Sequence, residues 1–109
     1  MYLNAEPIDF QKDVIEASET TPVLVDFWAD WCGPCHMLSP TLEKLAEEAG
    51  EKWILVKLNT EIQSDIAMKY NIRSIPNVKM FYKGVVSEEF IGALPESEVI
   101  RWLDESLPK

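Results

Sequence analysis

Positive charge is scarce in this chain. Ten lysines and arginines stand against nineteen aspartates and glutamates, a formal net charge of −9 at pH 7. Such a surface repels phosphate backbones and anionic membranes, which excludes nucleic acid as a main partner. Long apolar runs are missing too. None approaches the roughly 18 residues that cross a bilayer, so no membrane partner is expected. Met1 to Phe10 shows no basic segment followed by an apolar one, so the expected setting is the cytoplasm, with thiols mostly reduced. Cysteine is limited to Cys32 and Cys35. Two residues so close together cannot build the disulfide scaffold of a small secreted domain. Repeats, low-complexity tracts and linker-like stretches are also absent.

What is present is ordinary globular composition. The 109 residues are 47% apolar and 27% charged, which argues against disorder. A chain of this length hides roughly two-thirds of its unfolded surface. One domain over residues 1–109, with a core that needs no staples, is the expectation.

Apolar Phe10, Val14, Ile15 and Ala17 form a helical stripe from about Asp9, which can cap it. Thr20, Thr21 and Pro22 interrupt the pattern. Val23-Leu24-Val25-Asp26-Phe27-Trp28 then reads as a strand covered on both faces. Helical spacing returns from Gly33 to Ala49, with Met37, Leu38, Leu42, Leu45, Ala46 and Ala49 inward and Glu43, Lys44, Glu47 and Glu48 on the solvent side. Pro40 falls inside that helix and kinks it. Gly50 stands where a left-handed stop belongs. A second buried strand spans Trp53 to Leu58, and a short helix Ile62 to Tyr70. Asn77–Tyr82 and Val86–Ile91, joined by Lys83-Gly84, form an antiparallel hairpin. A last helix follows Pro95, striped by Val99, Ile100, Leu103 and Leu107. Strands separated by helices imply a right-handed parallel crossover. The fold class is therefore α/β, a mixed central sheet with helices on both faces.

Cys32 falls at the junction of a buried strand and a helix. Unpaired N–H groups and the positive end of the dipole there favour thiolate over thiol. Lowering a thiol pKa from about 8.5 raises the reactive fraction. Cys35 lies one turn on, nearly on the same face. One sulfur can attack a substrate disulfide and the other can resolve the mixed disulfide. Three other readings stand beside this one. The two cysteines could be simple core residues. Cys32-Gly33-Pro34-Cys35-His36 also matches the C-x-x-C-H attachment signature of c-type haem, although the pattern is not all-α. A zinc site would lack a fourth ligand beside Cys32, Cys35 and His36.

Two lone charges mark the neighbouring strands. Asp26 interrupts the first, and a buried carboxylate is costly and tends to hold its proton. Its functional reading is a general acid–base for Cys35, through a water. Lys57 interrupts the second strand in the same way. The opposite signs suggest a shared inner site.

The run Val25-Asp26-Phe27-Trp28-Ala29-Asp30-Trp31-Cys32-Gly33-Pro34-Cys35 closely resembles the active-site segment of the thioredoxin family. Pro40, Lys57-Leu58-Asn59, Tyr70, Ile72-Arg73, Ile75-Pro76, Phe81, Gly84 and Gly92-Ala93-Leu94 match in order and spacing. The resemblance implies the thioredoxin fold, a mixed sheet flanked by four α-helices. It implies that Cys32 is the nucleophile, Cys35 the resolving thiol and Asp26 the buried acid–base group, with Lys57 nearby. It implies a cis bond before Pro76 and a substrate groove of Trp31, Gly33, Pro34, Ile75, Pro76 and Gly92. The implied activity is reduction of protein disulfides by a Cys32/Cys35 dithiol cycle, in a monomer. Disulfide-containing client proteins and a thioredoxin reductase drawing on NADPH or ferredoxin are the implied partners. No cofactor and no metal are expected in the chain, which has no glycine-rich dinucleotide loop.

The match is not complete. His36 stands where lysine or arginine is common, Ser74 where glycine is common and Asn77 where threonine is common. The stretch from Phe90 to Ser97 is similar to the thioredoxin domains of certain co-chaperones. That leaves a second functional reading, a thioredoxin-like client-binding or co-chaperone adaptor domain with incidental cysteines.

Overall fold

The β-branched and aromatic run after Pro22 forms β1 (Val23–Trp28) at the interior of a four-stranded sheet. The computed structural model describes all residues from Met1 to Lys109. β2 (Ile54–Asn59) pairs with β1 in parallel, and β3 (Asn77–Tyr82) pairs with it antiparallel. β4 (Val85–Ile91) completes the order β2-β1-β3-β4. The hairpin turns through Lys83 (φ 58°) and Gly84 (φ 81°). Two successive positive φ values match the right-handed twist of the strands they join. A Cβ on Gly84 would also come 3.2 Å from the Glu19 carboxylate.

Helices α1 (Gly33–Ala49) and α3 (Glu96–Ser106) cover one face of the sheet. There Leu38, Leu42, Leu45 and Ala46 of α1 and Val99 and Leu103 of α3 join Leu24, Leu55, Val78 and Met80 in one buried cluster. The opposite face packs Phe10, Val14, Val23, Val25, Phe27, Val56, Leu58 and Phe81, flanked by Ile66 and Tyr70 of and beside α2 (Ser64–Lys69). The alternation along β1 is thus complete: odd residues serve one core and even residues the other. Asp26, even-numbered with Leu24, faces α1.

Several expectations need correction. The first helix is not α-helical. Gln11–Glu16 winds as a π-helix and Ala17–Glu19 as a 3₁₀ turn. Asp9 does cap it, accepting from the Lys12 N–H at 3.1 Å while Asp13 accepts from the Asp9 N–H at 3.0 Å. Over so few residues the periods of the three helix types place Phe10 and Val14 on one side alike, so spacing could not tell them apart. In α1, which contains Pro40 as expected, Met37 is 74% exposed and not inward. Lys79, charged and within β3, is only 7% exposed, with its ammonium 2.9 Å from Glu89 on β4. The face it shares with Phe81 is covered by the N-terminal helix. Finally, residues 1–3 extend the sheet beyond β2. Leu55 donates its N–H to Met1 O at 2.7 Å, and Leu3 donates to Leu55 O at 2.9 Å. Three residues are too few to show a period of two.

Candidate active site

β1 delivers the chain to the sheet edge at Trp28, and α1 starts five residues later. Cys32 is the residue that caps α1: its Sγ accepts the Cys35 N–H at 3.2 Å. Pro34 sits in the first turn, where its missing N–H costs nothing. Cys32 and Cys35 are joined as a disulfide, with Cα atoms 5.3 Å apart. The sulfur accepting from a helix N-terminal N–H stands where a thiolate would gain the most from that donor and from the dipole.

Cys32 is largely covered. The residue is 4% exposed and Cys35 is 1% exposed. Both pack with Ala29, Trp28 and Ile75. The solvent-facing surface around them belongs to Trp31, which is 70% exposed, and to exposed Gly33 and Pro34. Both cysteines are thus buried, Cys32 slightly less deeply than Cys35.

The Ile75–Pro76 bond is cis, and the Ile75 carbonyl oxygen lies 3.8 Å from Cys32 Sγ. Gly92, at φ 97°, donates its N–H to Pro76 O at 2.9 Å. A side chain is disfavoured at that φ. The structure thus links Ile75 to the disulfide and Gly92 to Pro76. His36 is exposed; its Nε2 lies 2.7 Å from Asp30 O, and its ring meets Trp28 edge-on at 6.0 Å.

Asp26, six residues before Cys32, is fully buried and opposite Lys57 in the parallel register. Neither Asp26 oxygen has a hydrogen-bond partner. Burial pushes its carboxyl up to about 7, against the pull of the Lys57 ammonium and with the push of Glu43. Lys57 does not bond to Asp26. Its Nζ lies 3.5 Å from Glu43 Oε2 and 4.7 Å above the Trp28 ring. Glu43 also accepts from the Ser39 hydroxyl at 2.8 Å. The sequence reading placed Glu43 on the solvated face of α1, and the structure draws it to the sheet side. The available signal was spacing: Cys35, Ser39 and Glu43 recur every four residues along one helix stripe. Trp28 Nε1 and Asn77 Oδ1 are further buried atoms without partners.

The thioredoxin family model matches residues 2–105. The chain belongs to the thioredoxin family. It is 43% identical over 105 residues to Thioredoxin C-2 of Corynebacterium nephridii, covering 96% of this chain and 95% of that one. It is 41% identical over 106 residues to the thioredoxin of Chlorobaculum thiosulfatiphilum, covering 97% and 96%. Against the chloroplastic M-type thioredoxin of Chlamydomonas reinhardtii it is 42% identical over 98 residues, covering 90% and 69%. As a family member with a paired Cys32 and Cys35, this thioredoxin-family chain is a thiol–disulfide oxidoreductase acting on disulfide-containing substrates. The adaptor reading finds no support. The sheet flanked by helices on both faces is the thioredoxin fold.

Proposed function

We propose that the chain is a protein-disulfide reductase in which Cys32 attacks and Cys35 resolves. The observation that carries this reading is the Cys32 sulfur at the cap of α1, accepting the Cys35 N–H and joined to Cys35. In the reduced enzyme the Cys32 thiolate attacks one sulfur of a client disulfide. That S–S bond breaks, the first client thiolate leaves and takes a proton from water, and a Cys32–client disulfide forms. Cys35 gives its proton to the Asp26 carboxylate, through a water, and its thiolate attacks Cys32 Sγ. The second client thiolate leaves. Two electrons have passed to the client, and the Cys32–Cys35 bond has formed. A carboxyl that titrates near 7 can accept that proton and return it at neutral pH. Lys57 tempers the charge on Asp26.

Trp31, Gly33, Pro34, Ile75, Pro76 and Gly92 form the docking groove in this reading. An extended client segment pairs with the Ile75 backbone, and Trp31 supplies apolar area. A thioredoxin reductase restores the dithiol. The protein works as a monomeric single domain over residues 1–109, without cofactor, metal or nucleic acid. No helix is long and apolar enough to cross a membrane, and the acidic chain with its reducible pair fits the cytoplasm. The test is insulin reduction driven by dithiothreitol. The wild type accelerates it, and Cys32→Ser abolishes the acceleration while remaining folded by circular dichroism. Undiminished acceleration in that variant would refute the assignment.

A further inference from the structure

We propose that Glu43 is a positioning residue of the exchange site: pinned by Ser39, its carboxylate holds the Lys57 ammonium away from Asp26 and so governs the charge on Asp26. The inference rests on Asp26 being the acid–base group.

The geometry starts from the β1–β2 register. Asp26 and Lys57 are direct neighbours on adjacent strands, on the face covered by α1. A buried carboxylate without a hydrogen bond, beside a flexible ammonium, would ordinarily draw that ammonium onto itself. Here it does not. Both Asp26 oxygens lack partners, and the Lys57 ammonium is 3.5 Å from Glu43. Two contacts make Glu43 the better anchor. The Ser39 hydroxyl, one turn back on α1, donates to the same Oε2 that Lys57 approaches. Trp28 lies under the ammonium at 4.7 Å, so the cation rests on a ring face while it reaches Glu43. Glu43 is also partly solvated, with its side chain 38% exposed. Solvent reaches the Glu43 carboxylate, whereas charging Asp26 means charging the interior.

The charged and titratable groups near Asp26 are few. Lys57 comes from β2, Glu43 from α1 and Tyr2 from the N-terminal segment, with Cys35 on the same helix stripe. Tyr2 keeps its phenol proton above the usual range through burial and the nearby carboxylates of Glu43, Glu6 and Asp26. Lys57 is the cation acting on Asp26, and Glu43 both repels Asp26 directly and occupies Lys57. Removing Glu43 acts twice in one direction. The repulsion ends, and the ammonium is released to approach Asp26. Each change favours the ionised carboxyl.

The experiment is NMR titration of the Asp26 carboxyl carbon in the oxidised protein. In Glu43→Gln, which keeps the shape and an acceptor for Ser39, the Asp26 midpoint moves to lower pH by about one unit, tenfold in proton affinity. Glu43→Asp restores it at least in part. In a Lys57→Met background the same Glu43→Gln change moves the midpoint less, because no ammonium is left to redirect. An unmoved midpoint, or equal shifts in the two backgrounds, overturns the proposal. A purely structural role for Glu43 would change the melting temperature and leave the midpoint in place. Mixed-disulfide resolution followed against pH separates the two ideas. If the midpoint moves and the resolution profile does not follow, Glu43 governs Asp26 as stated, and it is the acid–base role of Asp26 that fails.

Discussion

The two faces of the central sheet are built from the same strands but to different ends. The face under the N-terminal helix and α2 is apolar apart from Lys79, with Phe10, Phe27, Tyr70 and Phe81 in contact at ring distances of 5.3–6.5 Å. The face under α1 and α3 carries a larger, mostly aliphatic cluster. It also holds Asp26, Lys57 and Glu43, however. A single step along β1, from Phe27 to Asp26, passes from stabilising core to reactive chemistry. The difference teaches that the fold can hold an unsolvated carboxyl because the opposite core is so complete. The reactive face gives up some stability for a proton that moves near neutral pH.

That contrast can be tested from both sides. The largest effect on stability is expected at the aromatic face. Phe27→Ala should cost about 3–5 kcal/mol in denaturant unfolding, since it removes a fully buried ring and leaves a cavity. The variant should still exchange disulfides at an undiminished rate per folded molecule under stabilising conditions. A lost rate with stability intact would mean that this face takes part in the chemistry.

Asp26→Ala should behave in the opposite way. An acid whose folded pKa is raised from 3.8 to about 7 is protonated in both states at low pH. Between those values the unfolded chain ionises first, so the wild type loses stability as pH rises, and above about pH 7 the loss is constant. The variant lacks this loss. Its stability relative to the wild type should therefore rise between pH 4 and pH 8 by about 4 kcal/mol. Resolution by Cys35 should slow at neutral pH. Parallel stability curves for the two proteins would show that Asp26 is not a desolvated acid.

The smallest change is expected at the rim. Trp31 is 70% exposed, so Trp31→Ala should leave stability within about 0.5 kcal/mol. It should raise KM for insulin several-fold with kcat little changed, because docking loses apolar area while the sulfurs keep their places. An unaltered KM would remove Trp31 from the groove.

How far the sequence reached follows the length scale of each pattern. β1 was legible because five apolar residues, β-branched, aromatic or Leu, interrupted only by Asp26 between turn signals, read as a buried strand. The junction at Cys32 was legible because a buried strand, a Gly-Pro pair and a helical stripe met within a few residues. Asp26 and Lys57 stood out as charges inside apolar runs, and the parallel register puts them side by side. The N-terminal π-helix was not legible, since its period is indistinguishable from 3.6 over two turns. The burial of Lys79 was not legible, because alternation tells which residues share a face and not what covers that face. Glu43 was missed for a similar reason. A carboxylate at the boundary of a helix stripe turns inward only when a partner such as Lys57 waits there, and that partner comes from a different strand.

The central claim is that Cys32 is the sulfur that meets the client and Cys35 the one that releases it. The direct measurement is to incubate reduced Cys35→Ser and Cys32→Ser with a disulfide-containing protein and to identify the trapped adducts by mass spectrometry of peptides. The account predicts a stable adduct on Cys32 in the first variant and little or none on Cys35 in the second. Adducts accumulating on Cys35, with Cys32 unmodified in its own variant, would contradict it.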